Sequence, residues 1–353
     1  MKNKINSLET LRGFAALAVA FYHYPSTSFL HIKGGHLGIY FFFVLSGFVI
    51  TLNYFDRITN VNNLIKFQIK RFFRLYPIHI FVLFLVLGIQ ILKLLVLNFF
   101  NMSSGTEAFS PEYWYTLRDF FHHLFLTQAI FNDGYAFSWN SAAWTISAEF
   151  YTYLIFGLLS LIVRNNKLIF FFILATYIFF FNFITGFTDL YFNNLFSLCL
   201  HAFFMGCITF FIYEKIRYRL NDILFILLFI AAVSIFTMYN GHFGIHHVSL
   251  FCTIILLVSI LKKNSFINKF LNFSSLVYFG TISYSFYMIH QSVLYLYVQI
   301  LKLIFKVNFL NDSGVSTNTG DPYFDTMITV SYIAISGVFA SIMYNYIENK
   351  FRK

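Results

Sequence analysis

Apolar residues dominate this chain in runs of about 20, the length an α-helix needs to cross a bilayer's hydrocarbon. The runs fall at 8–26, 36–54, 76–99, 143–163, 168–185, 194–213, 222–240, 247–261, 276–300 and 325–346, and the eighth is the shortest. The pattern predicts an all-α fold, a polytopic transmembrane helical bundle of about ten helices. The first helix opens on Asn6-Ser-Leu-Glu9, which resembles a capping box. Pro25 follows His23 by two positions and is expected to end or bend that helix. Irregular backbone at membrane depth is tolerated only beside protein or a water-filled cavity, so a pocket is expected near His23. Three polar stretches read as loops. Residues 55–75 are basic and aromatic, 100–140 hold an amphipathic segment over 117–131, and 306–323 are rich in Asn, Asp, Ser, Gly and Thr.

Charge orients the bundle. With the N-terminus inside, nineteen of the 24 Lys and Arg fall on the inner side, and five (Lys33, Lys93, Arg118, Lys302, Lys306) fall outside or in an outward half. Removing or adding a span would scramble that asymmetry downstream. Both termini are therefore expected in the cytoplasm. The chain is 59% hydrophobic and 11% charged, against about 25% charged in a soluble domain. A net charge of +10 would suggest nucleic acid in a soluble protein. Here the positive-inside rule accounts for it, and no nucleic-acid partner is expected. Cys199, Cys207 and Cys252 lie in apolar runs without metal or disulfide spacing. A cleavable signal peptide is not expected, because the first apolar segment carries Arg12 and His23 and no small-x-small site follows. Residues 1–353 read as one transmembrane domain without an internal repeat or an appended soluble domain.

The ionisable residues inside apolar runs carry the candidate chemistry, since such groups are costly in a bilayer and are kept mainly where they work or are paired. Arg12 and His23 are eleven positions apart, three helical turns plus about 20°, so they share a face at ~16 Å along the axis. That puts a guanidinium near one membrane surface and an imidazole near the bilayer middle. Arg71 and Arg74, three apart where the chain re-enters the membrane, face one way. They could clamp a phosphate bidentately, or anchor to anionic lipid headgroups. Glu149 lies inside a strongly apolar run, as a base, as a group orienting and charging His23, or as one half of a structural ion pair. His290 faces the bundle interior, either working or hydrogen-bonded as structure, and His201 reads as structural. Ser46 and Gly47 permit close helix contact. His36, His122, His123, His242, His246 and His247 lie in or near external loops without a convincing ligand set, and no metal is expected.

Five blocks in order carry a resemblance: Ser7-Leu-Glu-Thr-Leu-Arg12-Gly-Phe-Ala-Ala with His23, Phe41-Phe-Phe-Val-Leu-Ser46-Gly47-Phe, Arg71-x-x-Arg74-x-Tyr-Pro, Trp144-Thr-Ile-Ser-Ala-Glu149-Phe-Tyr, and Ser283-Tyr-Ser-x-Tyr-x-x-His290. Together they resemble the acyltransferase-3 family of membrane proteins over nearly the whole chain. The resemblance implies a bacterial inner-membrane O-acetyltransferase with a ten-helix core. Such an enzyme takes acetyl from cytoplasmic acetyl-CoA and places it on a hydroxyl of an envelope or exported glycan, such as O-antigen lipopolysaccharide, capsule or exopolysaccharide. The acceptor would be a glycan or a lipid-linked glycan. Tyr40 departs from the pattern, standing where many members have an acid, and Tyr346-Ile-Glu348-Asn-Lys-Phe-Arg352 lacks the proline often found there.

On that reading Arg71, Arg74 and Arg12 hold the donor's phosphates, His23 takes the acceptor hydroxyl's proton, and Glu149 or His290 orients His23 or assists proton transfer. Direct transfer and an acyl-histidine or acyl-tyrosine relay are both open. The competing reading is a membrane transporter or flippase of a glycan or lipid-linked precursor, which would also use intramembrane Arg, Glu and His. Against it stand the absence of an inverted repeat and of paired broken helices.

Overall fold

The computed structural model describes residues 5–24, 27–99, 108–109, 115–130, 136–164, 166–185, 195–215, scattered positions between 226 and 254, 266–310 and 318–351. The helices are α1 (Asn6–His23), α2 (Gly38–Tyr54), α3 (Val61–Phe99), α4 (Leu117–Leu124), α5 (Trp144–Val163), α6 (Lys167–Thr185), α7 (Leu195–Lys215), α8 (Phe266–Leu271), α9 (Ser274–Leu303) and α10 (Pro322–Met343). A π-helical turn at Tyr344–Glu348 and a last turn at Asn349–Phe351 follow. No strand occurs among the described residues. Five stretches there are long and apolar enough to cross a membrane: Gly35–Arg57, Val61–Phe99, Ser141–Val163, Leu195–Lys215 and Pro322–Phe351. The protein is an all-α, multi-pass membrane bundle. Apart from scattered positions, the predicted spans at 222–240 and 247–261 lie outside the described residues, as does Pro25.

α1 and α9 stand where helices are expected but are not among these five; α1 carries Glu9, Arg12 and His23, and α9 carries Ser283, Ser285, His290 and Gln291. One stretch differs from expectation. Residues 61–75 are not loop but the first turns of α3, which runs through Pro77. Leu64, Phe67, Arg71, Leu75 and Ile78 are buried while Val61, Ile65, Ile69 and Phe73 are exposed, an amphipathic stripe at helical spacing that outweighs the basic composition. Asn60 Oδ1 starts the helix by accepting from the Asn63 N–H at 2.9 Å.

The chain forms two compact units. The first takes in Met1–Val19, Ile32–Phe72 and Ala148–Ser283. Its centre is α2 against α7. A Cβ added at Gly47 would come within 1.9 Å of the Phe203 carbonyl oxygen, and one at Gly206 within 1.9 Å of the Val44 carbonyl oxygen. Glycine on both sides lets the two backbones touch, the usual way membrane helices gain dispersion contact in a solvent as apolar as themselves. Phe48, Phe55, Phe156, Phe170, Phe203 and Phe210 fill the space around this seam, each fully buried. A second close approach brings Gly280 of α9 to the Glu9 carbonyl of α1. Thr10 Oγ1 donates to the Leu271 carbonyl at 2.6 Å, tying α8 to α1.

The second unit takes in Ala20–His31, Phe73–Ser147 and Tyr284–Lys353. Thr116 caps α4 by accepting from the Asp119 N–H, and Tyr76 and His79 of α3 bond to the carbonyls of Leu124 and His123. Asp321 caps α10, with Pro322 in its first turn. Buried Asp325 accepts from Thr27 Oγ1 at 2.5 Å and Thr319 Oγ1 at 2.8 Å, which pins the chain after α1 onto α10.

Candidate active site

His23 is the last residue of α1, and its imidazole lies among polar groups of the second unit. Its Nε2 is 3.1 Å from Gln291 Nε2. Its ring centroid is 5.3 Å from that of His290, with the planes tilted by 44°, and Tyr22 meets it edge-on at 5.4 Å. Gln291 is reached in turn by Ser141 Oγ, 2.5 Å from its Oε1. Ser141 opens a short 3₁₀ turn, Ser141–Ala143, directly before α5. Asn140 Nδ2 donates to the Met288 carbonyl at 3.2 Å and fastens that turn onto α9.

Bond lengths and donor inventory set the direction of this chain of contacts. A 2.5 Å contact suits O–H···O and is short for N–H···O, so the Gln291 carbonyl faces Ser141 and its amide N–H faces His23. An N–H aimed at Nε2 needs a lone pair there, so the network assigns His23 as neutral with its proton on Nδ1. His290 takes the same tautomer. Its Nδ1–H donates to the Tyr287 carbonyl at 2.6 Å, which leaves the lone pair on Nε2. That nitrogen is buried and has no hydrogen-bond partner among the described residues. Two imidazoles thus lie side by side, each with its lone pair on Nε2.

Arg71 and Glu149 belong to a network in the first unit. Glu149 Oε1 accepts from Ser46 Oγ at 2.5 Å and from Tyr153 Oη, and these two hydroxyl oxygens are 2.7 Å apart. The Arg71 guanidinium lies 5.0 Å from the Tyr54 ring centroid, 5.9 Å from that of Phe67 and 6.0 Å from that of Tyr153. Its Nη2 donates to Tyr54 Oη at 3.0 Å. Aromatic rings around a guanidinium attract its charge, and its planar fork of donors suits anion recognition in a way that a lysine would not reproduce. Arg12 forms an ion pair with Glu9 at 2.8 Å, three residues back on α1. Arg74, on α3 in the second unit, is half-buried.

The structure therefore joins His23 to His290, and Arg71 to Glu149 through Tyr153. It pairs Arg12 locally. Sequence reading missed Gln291, Ser141, Tyr54 and Tyr153, and took Ser46 as packing alone. Gln291 had one signal, a second polar residue beside His290 in an apolar run. Ser141 had none, because its partner lies 150 positions away. Gly47 serves as packing, as expected. His201 is buried against Phe181 at 4.9 Å between ring centroids. Among the described residues no group of three or more His, Cys, Asp or Glu could hold a metal ion.

In this apolar multi-pass protein His290 and Arg71 are buried and His23 and Glu149 half-buried, and polar groups inside membrane proteins are kept mainly where they work or are paired. Residues 5–346 match the family model described as an acyltransferase domain, and the chain belongs to this acyltransferase-3 family. It is similar to the "O-acetyltransferase OatA" of Staphylococcus aureus (strain NCTC 8325 / PS 47), 24% identical over 380 residues, covering 98% of this chain and 57% of the relative. It is equally similar to a Staphylococcus aureus (strain COL) protein named "Putative O-acetyltransferase SACOL0978", 24% identical over 383 residues, covering 99% of this chain and 57% of that protein. The chain thus spans little more than half the length of these curated relatives. No solved structure matches it.

Proposed function

We propose that this protein is an O-acetyltransferase of the bacterial cytoplasmic membrane that moves acetyl from acetyl-CoA to a hydroxyl of an envelope or exported glycan. The observation that carries the reading is His23, a neutral imidazole with its Nε2 lone pair oriented by Gln291 and a second imidazole alongside. A neutral imidazole with a free lone pair suits the general base for a hydroxyl nucleophile. The names of the staphylococcal relatives support transfer to oxygen.

In the proposed reaction the acceptor hydroxyl gives its proton to His23 Nε2 as its oxygen bonds to the thioester carbonyl carbon. The C–S bond then breaks, and the thiolate leaves with the electron pair and takes the proton from His23. Arg71, with aromatic rings around its guanidinium, is assigned to the donor's phosphates, with Arg74 and Arg12 in supporting roles. The Glu9 carboxylate competes for Arg12, which makes it the weakest of the three. Glu149 holds the Ser46 and Tyr153 hydroxyls and through Tyr153 the wall of the Arg71 site. His290, with its ring beside that of His23, is assigned to orient it.

The test is transfer by the purified protein in lipid vesicles, given radiolabelled acetyl-CoA and a glycan extract from its own host. Label appearing in the glycan, dependent on His23, supports the proposal. Movement of a glycan precursor across the bilayer without consumption of the thioester would overturn it in favour of a flippase.

A further inference from the structure

We infer that Gln291, locked by Ser141, is a positioning residue that keeps His23 unprotonated at Nε2 and ready to act as a base. The inference rests on the assignment of His23 as base above and adds to it two residues outside the five sequence blocks or unremarked in them. The link is directional. Ser141 has one hydroxyl proton, and its 2.5 Å contact places that proton on Gln291 Oε1. The amide cannot then turn its oxygen toward His23 without losing that bond. Its N–H therefore stays on Nε2, 3.1 Å away. An N–H facing Nε2 is a good partner for a lone pair and a poor one for a second N–H. The pair of residues thus favours the neutral ring and fixes its plane. Asn140, bonded to the Met288 carbonyl three positions before Gln291, keeps the Ser141 turn in register with α9.

Tyr22 presents a ring edge, and His31 stacks on Tyr22 at 6.3 Å rather than on His23. His290 commits its own N–H to Tyr287, whose ring lies 5.8 Å from that of His290. None of these donates to Nε2 in the described contacts, whereas Gln291 does. When the acceptor arrives, its hydroxyl takes the amide's place at the lone pair. No atom is gained or lost by Gln291.

The experiment measures acetyl transfer against pH for the full-length protein in vesicles, comparing wild type with Gln291→Glu, Gln291→Met, Ser141→Ala and His23→Ala. A carboxylate at this position would hold a proton on His23, so Gln291→Glu is expected to move the acidic limb of the rate profile up by about one pH unit. Ser141→Ala frees the amide to turn and should move the same limb in the same direction by less. Gln291→Met removes the orienting bond and is expected to lower kcat about tenfold with donor KM unchanged. If Gln291→Glu fails to fold, the limb measured for Ser141→Ala decides the question. The inference is overturned if His23→Ala is inactive while the folded Gln291→Glu and Ser141→Ala proteins keep the wild-type acidic limb. If His23→Ala is active, the underlying assignment of the base fails instead.

Discussion

Arg71 shows why a single residue type matters at this site. Its guanidinium is flat, and Tyr54, Phe67 and Tyr153 line it with rings. Lysine would keep the charge and lose the forked donors. Arg71→Lys is therefore expected to raise the apparent KM for acetyl-CoA about tenfold, the loss of one charge-assisted hydrogen bond, with a smaller change in kcat. Steady-state kinetics in vesicles checks this, and an unchanged KM would take Arg71 out of the donor site. Glu149→Gln keeps an oxygen for Ser46 and Tyr153 but removes the charge. The protein should fold and lose activity; wild-type activity would leave Glu149 as structure alone. The candidate residues were legible one by one, because an ionisable group in an apolar run stands out whatever it contacts. The partners were not. Tyr153 looks like one more aromatic in a chain with 24 Tyr and 52 Phe, and only the folded geometry sets its hydroxyl on Glu149.

Helices came through from the sequence where lipid dictates a length, and less well where composition competes with pattern. Residues 61–75 carry Lys66, Lys70, Arg71 and Arg74, and that charge masked an apolar stripe which continues α3 inward. Gly47 announced a close contact, but its partner Gly206 emerges only when α2 and α7 pack. Each faces a backbone oxygen at a distance no Cβ tolerates, so Gly47→Ala and Gly206→Ala should each destabilise the protein by about 2 kcal/mol or more, as overpacking does. Gly88, with nothing within 4 Å, is the control, and Gly88→Ala should be neutral or slightly stabilising. Melting of the detergent-solubilised variants reads both, and equal melting of all three would contradict the seam.

α4 adds a pH dependence. His123 is fully buried, and burial, followed by the nearby His79 and His122, pushes its pKa well below the usual histidine range. The unfolded chain takes up a proton there below about pH 6.5 and the folded one does not. Its contribution to stability is complete above that pH and is lost progressively as pH falls below it. His123→Gln should flatten the fall in melting temperature between pH 7.5 and 5, and an unchanged slope would show that other groups carry it.

For the molecule as a whole, the charge asymmetry proposes an orientation that thiol labelling can read. Asp56 and Asp321 are both exposed, while Cys199, Cys207 and Cys252 are buried. Asp321→Cys should react with a membrane-impermeant reagent in intact cells, and Asp56→Cys only after permeabilisation. The reverse pattern would invert the topology. The central claim, acetyl transfer with His23 as base, is tested most directly by proton NMR of the surface glycan. Cells would make wild type or His23→Ala at matched membrane levels, in a strain that makes the protein's own acceptor. The account expects an O-acetyl signal with wild type and none with the variant, and an equal signal from both would contradict it.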